Sequence, residues 1–200
     1  MWPIVWCLGF NFEKCKVLHI GKQNPKINYN FGGHSLSIVN NEKDLGVIFN
    51  RQFTFKDHVA MSIAKAKQVI SWILRTIVSR HKEVMVPLFK TFILPHLEYC
   101  TQAWSPVPGH GGWGIIHAIE DIQRKFTKQI DGLSNLSYDQ RLKRLNLTTL
   151  LERRMRGDLI ELNKILNNFA NYGKIYVNFN NLLKFGQSVR SLTIRQSFTN

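Results

Sequence analysis

The spacing of the apolar residues changes near residue 50, and this change constrains the fold more than any other feature. Before it, apolar residues come in runs too short for a helix: KVLHIG (16–21), INYNF (27–31), LSIV (36–39) and LGVIF (45–49). Asn-Pro at 24–25 and Gly-Gly at 32–33 punctuate these runs as turns, and NNEKD (40–44) reads as a polar connection. Beyond residue 50 the spacing is helical. Ile63, Ala66, Ile70, Ile73 and Ile77 form one stripe, and Ile115, Ile119, Ile122, Phe126 and Ile130 another. The pattern predicts an α+β chain. A small N-terminal antiparallel β piece, too slight to fold alone, precedes a mostly α-helical region.

Local signals divide the helical region further. Thr54 and Asp57 form a T-x-x-D helix start. A second helix is expected over about 83–103, with Leu88, Phe89, Phe92, Ile93 and Leu97 apolar, Pro87 in its first turn and Pro95 kinking its interior. WSPVPGHGGWG (104–114) is a Pro/Gly-rich loop. Ser137 with Gln140, and Thr149 with Glu152, are capping boxes that open two more helices. From Asn167 the chain is rich in Asn and aromatics with weak periodicity. The expected divisions are therefore 1–50, 51–110, 111–166 and a poorly defined tail, 167–200.

Charge bears on the partner. The 200 residues hold 27 Lys+Arg against 13 Asp+Glu, a net +14. The excess rises along the chain: five basic residues against three acids in 1–50, eight against three in 51–110, fourteen against seven in 111–200. The clusters KAK (65–67), RHK (80–82), RK (124–125), RLKR (141–144) and RRMR (153–156) are nearly free of acidic neighbours. A solvated helix face usually mixes signs. Segregated cations on amphipathic helices suit a phosphate backbone, so RNA and DNA are the expected partners. The candidate nucleic-acid-binding residues are Lys65, Lys67, Arg75, Arg80, Lys82, Arg124, Lys125, Lys128, Arg141, Lys143, Arg144, Arg153, Arg154 and Arg156.

The catalytic inventory is thin. Polymerases and nucleases use clustered carboxylates to hold paired divalent metals, yet the acids here form no D-D or D-x-D pair. Glu120 and Asp121, the sole adjacent pair, read as charge balance for Arg124 and Lys125. GHGG (109–112) has no following Lys and no preceding strand, so it is no phosphate loop. Cys7, Cys15 and Cys100 form no CxxC, and His96 with Cys100 at i, i+4 is a poor zinc signal. No metal site, cofactor or complete small-molecule site is expected in the chain. MWPIVWCLGF (1–10) is too short to span a bilayer and lacks a basic leader and a cleavage signal. The expectation is an intracellular protein of nucleus or cytoplasm, not secreted and without a membrane partner.

The order of several short motifs adds a family resemblance. FN-x-x-KCKVLHIG (10–21), EKDLGV (42–47), H-x-x-x-x-x-x-KA (58–66), LFKTFILPHLEYCTQAWSP (88–106), IEDIQRKFTKQI-x-GL (119–133), LSYDQRLKRLNL-x-x-LLERRMRGDLI (136–160) and NKIL (163–166) follow one another. Together they resemble the C-terminal part of a non-LTR retrotransposon reverse transcriptase, of the jockey-like group. Trp2, Trp6, Leu8, Phe10 and Asn11 match the segment that follows that family's metal-binding F/Y-A-D-D hairpin. The resemblance implies that 1–50 is the end of the palm, with a primer-grip-like hairpin at about 30–50. It further implies that 51–110 is a helical thumb-like region and 111–166 the basic helices after it. The chain would then be a fragment of an RNA-directed DNA polymerase that binds template–primer but lacks the catalytic carboxylates, and is inactive alone. Mg²⁺ is the cofactor of the complete family enzyme. Lys14 matches the lysine proposed there to protonate pyrophosphate, a candidate general acid; a solvent-facing lysine at a strand entrance is the equal alternative. Two further readings stay open: a non-enzymatic basic helical module binding nucleic acid or protein, and a decayed reading frame without function.

Overall fold

The computed structural model describes Gly9 and residues 11–106 and 112–167. Its architecture is α+β: the described strands lie before residue 51 and the α-helices after residue 55. β1 (Lys16–Leu18) pairs in parallel with β4 (Ser37–Val39), Val17 opposite Ile38. β2 (Asn30–Phe31) and β3 (His34–Ser35) form a short hairpin. β5 (Asn41–Asp44) and β6 (Val47–Asn50) form a longer one.

Three details depart from the strand expectations. The polar stretch is itself a strand: Asn41 to Asp44 pair with Asn50 to Val47. Leu45, expected within a strand, is a turn residue. Leu45 and Gly46 both take positive φ, 45° and 89°, as a two-residue hairpin turn of the I′ kind requires. The β1–β4 pair is parallel where antiparallel pairing was expected, because the β2–β3 segment between them is long enough to serve as a crossover.

The first long helix, α1 (Lys56–Thr76), starts where expected but by another device. Its N-cap is Phe55, left-handed at φ 55°, with no side-chain cap. Thr54 instead exchanges bonds with Asn50: its N–H donates to Asn50 Oδ1 at 3.0 Å, and Asn50 Nδ2 donates to its hydroxyl at 2.8 Å. Asp57 remains in the first turn, where a carboxylate complements the helix dipole. The expected single helix over 83–103 is broken. α2 (Lys82–Leu88) leads into a π-helical turn (Phe89–Ile93), then α3 (Leu94–Glu98) and α4 (Thr101–Trp104). Pro87 lies in the second turn of α2, not the first. The wide turn immediately before Pro95 accommodates its missing N–H and its ring. Cys100, at φ 52°, makes the final break.

α5 (Trp113–Thr127), α6 (Tyr138–Leu145) and α7 (Leu150–Leu166) follow. Both capping boxes are formed. The amide N–H of Gln140 donates to Ser137 Oγ at 3.3 Å and that of Glu152 to Thr149 Oγ1 at 3.1 Å; each partner carboxyl or amide oxygen accepts in return.

The core lies among the helices. Ala66 and Ile73 of α1 meet Met85, Phe89, Ile93 and Leu97 on one side and Ile119, Ile122 and Phe126 of α5 on the other. The Phe89 and Phe126 rings stand 5.1 Å apart. Phe92, expected in this core, faces outward. Val47 carries the β5–β6 hairpin into the same core, and the Tyr99 hydroxyl fastens its turn by donating to Leu45 C=O at 2.7 Å. Among the described residues before Val47, only His19 is buried. The expected tail beyond Asn167, most of the 104–114 loop tip (107–111), and Trp2, Trp6, Leu8 and Phe10 lie outside the described residues.

Candidate nucleic-acid interface

α1 presents the clearest surface. Its buried stripe centres on Ala66 and Ile73. At 100° per residue, Arg75 falls opposite that stripe, Lys65 and Trp72 along one flank, and Lys67 along the other. All four are exposed. Between Val59 and Thr76 the helix carries no acid. Trp72 is 51% exposed and makes an edge contact, at 6.5 Å between centroids, with Phe92, itself 46% exposed. Lys90, two residues earlier on the π-helical turn, is exposed as well. Cations thus flank two rings with open faces. Phosphates suit the former and unpaired bases the latter. From Lys65 to Arg75 the helix rises roughly 15 Å, about four nucleotide steps of a stacked strand.

Sequence reasoning missed Trp72 and Phe92. The signal for Trp72 was present: it is one residue from buried Ile73, hence about 100° off the apolar stripe. Phe92 gave no signal, because only the π-helical turn rotates it away from the line of Phe89 and Ile93.

Several of the candidate cations are buried or already hold a partner within the fold. Arg80 closes the C-terminus of α1, donating from Nη2 to Leu74 C=O at 2.7 Å and from Nη1 to Ile77 C=O. Arg141 is 2% exposed; Nη1 donates to Leu136 C=O and Nη2 to Arg124 C=O, both at 3.3 Å, and its guanidinium lies over the Tyr138 ring. Arg154 is 3% exposed, and its guanidinium nitrogens have no hydrogen-bond partner. Burial pushes its pKa down, opposed by the charges of Glu120, Glu98 and Asp158. Arg141 and Arg154 belong to the interior, while Arg80 is half-buried at the helix end. Arg153 is committed to a two-point pair with Glu98, at 2.7 and 3.1 Å, joining α7 to α3. Arg124 is paired with Asp121 and stacked on Tyr138. Lys82 has a loose pair with Glu83 at 3.8 Å. Lys125, Lys143, Arg144 and Arg156 are exposed on α5, α6 and α7, and Lys128 is exposed at the C-cap of α5.

Glu120 does not balance Arg124 as the sequence suggested. It is buried, accepting from the Tyr138 hydroxyl and from the amide of Leu150 at 2.9 Å, at the N-terminus of α7. Burial and that hydrogen bond push the Tyr138 phenol far above its usual range. Asp121 alone takes the pairing role.

Lys14 ends a single 3-10 turn, Phe12–Lys14, with an exposed side chain just before β1. Among the described residues no three His, Cys, Asp or Glu side chains gather where a metal could sit. Among the described residues, no helix is long and apolar enough to cross a membrane.

Fold and surface together define an α+β chain with a basic and aromatic face on the longest of its described helices. No family model matches the chain, and neither a curated protein nor a solved structure does.

Proposed function

We propose that this chain binds nucleic acid through α1 and the neighbouring π-helical turn, as the thumb-like, template–primer-binding part of a non-LTR retrotransposon reverse transcriptase. The observation that carries the reading is the acid-free face of Lys65, Lys67, Trp72 and Arg75 with Phe92 and Lys90 beside it. The order of the sequence motifs supports the polymerase ancestry. By itself the chain is a binding element and does not add nucleotides.

The test is fluorescence anisotropy with a labelled RNA–DNA hybrid carrying a single-stranded overhang, over a range of salt. Affinity should fall steeply with salt, and Lys65→Ala with Arg75→Ala should flatten the slope by up to about 0.9 for each phosphate no longer neutralised. Trp72→Ala should weaken binding to the overhang by about 1–3 kcal/mol if one base stacks there. Salt-independent binding, or none, removes the proposal. Primer extension by the purified chain with Mg²⁺ would remove the statement that it acts only by binding. A second reading, a protein-binding helical module, draws on Leu159 and Ile160, both exposed on the distal half of α7. That reading predicts that Leu159→Lys, and not Arg75→Ala, abolishes association.

A further inference from the structure

The turn after β1 and the loop after β6 enclose a surface cavity of about 340 Å³ lined by Gly21, Lys22, Lys26, Arg51 and Gln52. Three of these five residues are cationic and none is acidic. The sequence is acid-free from Lys14 to Asn41 and from Leu45 to Lys56, so neither wall brings a counter-charge along the chain. Lys16, outside the cavity, is the cation of β1 that does have a partner, Glu42 at 3.3 Å. Like charges collected on one cavity repel one another and favour an anion between them.

The cavity is also held in shape. The Gly21 N–H donates to Arg51 C=O at 3.0 Å, clamping the turn to the loop. Arg51 is fixed twice by Asn40: its own N–H donates to Asn40 C=O at 3.2 Å, and Nη1 donates to Asn40 Oδ1 at 3.1 Å. Asn24 braces the turn from inside, donating to Ile20 C=O at 3.2 Å and accepting from the Lys26 N–H at 2.9 Å. Lys26 itself adopts φ 53°, a left-handed conformation that a lysine rarely takes. Strain in a charged residue, beside a guanidinium whose orientation is set before any ligand arrives, marks a preorganised site.

We propose that Lys22, Lys26 and Arg51 form a phosphate-binding site, separate from the α1 face. Arg51 supplies the planar fork and the two lysines supply point charges for a tetrahedral phosphate anion. A phosphate of a nucleic-acid backbone and a free inorganic phosphate present the same chemistry here. Only the backbone arm of the test rests on the function proposed above.

The experiment compares the wild-type chain with Lys22→Gln plus Lys26→Gln, and with Arg51→Lys, which keeps the charge and loses the fork. A control, Lys43→Gln plus Lys164→Gln, removes the same charge elsewhere. Each protein is titrated with inorganic pyrophosphate by calorimetry and with the RNA–DNA hybrid by anisotropy. Pyrophosphate affinity lower by about tenfold in the lysine pair, and lower in Arg51→Lys, with the control unchanged, supports the site and names free phosphate as a source. Hybrid affinity and salt slope lowered beyond the control, with no pyrophosphate binding by any variant, supports it with the backbone as the source. Equal behaviour of the lysine pair and the control in both titrations overturns the inference, as does failure of the wild type to bind either probe. If the hybrid does not bind at all, the α1 proposal fails on its own and pyrophosphate alone decides this one.

Discussion

Single residues divide into those that hold the fold and those that can meet a ligand, and charge alone does not tell them apart. Arg141→Met should remove bonds to two carbonyls and destabilise the chain by roughly 3 kcal/mol in urea unfolding. Nucleic-acid affinity per folded molecule should stay as it was. Arg75→Ala should do the reverse, within about 0.5 kcal/mol in stability but weaker in binding. Equal effects of the two would erase the distinction drawn from their burial. His58 makes a third prediction. It is buried beside Trp104, Nδ1 accepting from the Ile48 N–H at 3.4 Å. Burial lowers its pKa below the ordinary 6.5, and Lys65 and Lys43 add to the shift. A depressed histidine contributes full stability above its unfolded pKa. The unfolded chain takes up the proton first as pH falls, so stability is lost from about pH 6.5 downward. The wild type should therefore lose more stability than His58→Gln between pH 7.5 and 5, measured as urea midpoints. Parallel pH profiles would sink the assignment. None of this division was legible in the sequence, because RLKR and RRMR place interior and exposed arginines one to three residues apart, and only helix packing assigns each to a side.

Among elements, the most legible were those whose signals are local. Both capping boxes form as read, since four consecutive residues suffice to make them. Ser137→Ala and Thr149→Ala should each cost about 1 kcal/mol of unfolding free energy. The Thr149 variant should also loosen the Leu150 amide that Glu120 accepts from, visible as faster hydrogen exchange in the first turn of α7. Elements whose form depends on a partner were hidden. NEKD has little strand propensity and becomes β5 only by pairing with β6. The hairpin turn escaped notice because Leu45 stands where Asn or Asp usually announces it. Helix 83–103 reads as continuous, and its π-helical turn follows from packing Phe89 and Ile93 inward ahead of Pro95.

For the whole molecule, the switch of periodicity near residue 50 foretold the α+β order, and the charge excess foretold a cationic surface. The distribution of stability was not foretold. Before Val47 the described chain buries only His19, while α1, the 82–98 segment and α5 share a continuous core. Hydrogen exchange should show amides of 16–39 opening with little protection and those of α1 and α5 exchanging only through global unfolding. Uniform protection across both regions would contradict that picture. Such an arrangement also places the Lys22–Lys26–Arg51 cavity between the turn at 21–26 after β1, which buries no side chain but is clamped by hydrogen bonds, and the end of β6, where Asn50 is buried. An anion bound there should raise protection in 16–26 before it raises the unfolding midpoint.

The Tyr99–Leu45 fastening has a consequence for how this chain can change over generations. A Cβ at Gly46 would come within 3.1 Å of the Tyr99 ring, so an alanine there meets resistance from position 99. Shrinking Tyr99 first would clear the space, yet Gly46 would remain at φ +89°, where any side chain is strained. The dependence therefore runs one way: position 99 can drift if the hairpin tolerates a missing tether, whereas position 46 stays closed to substitution whichever residue faces it.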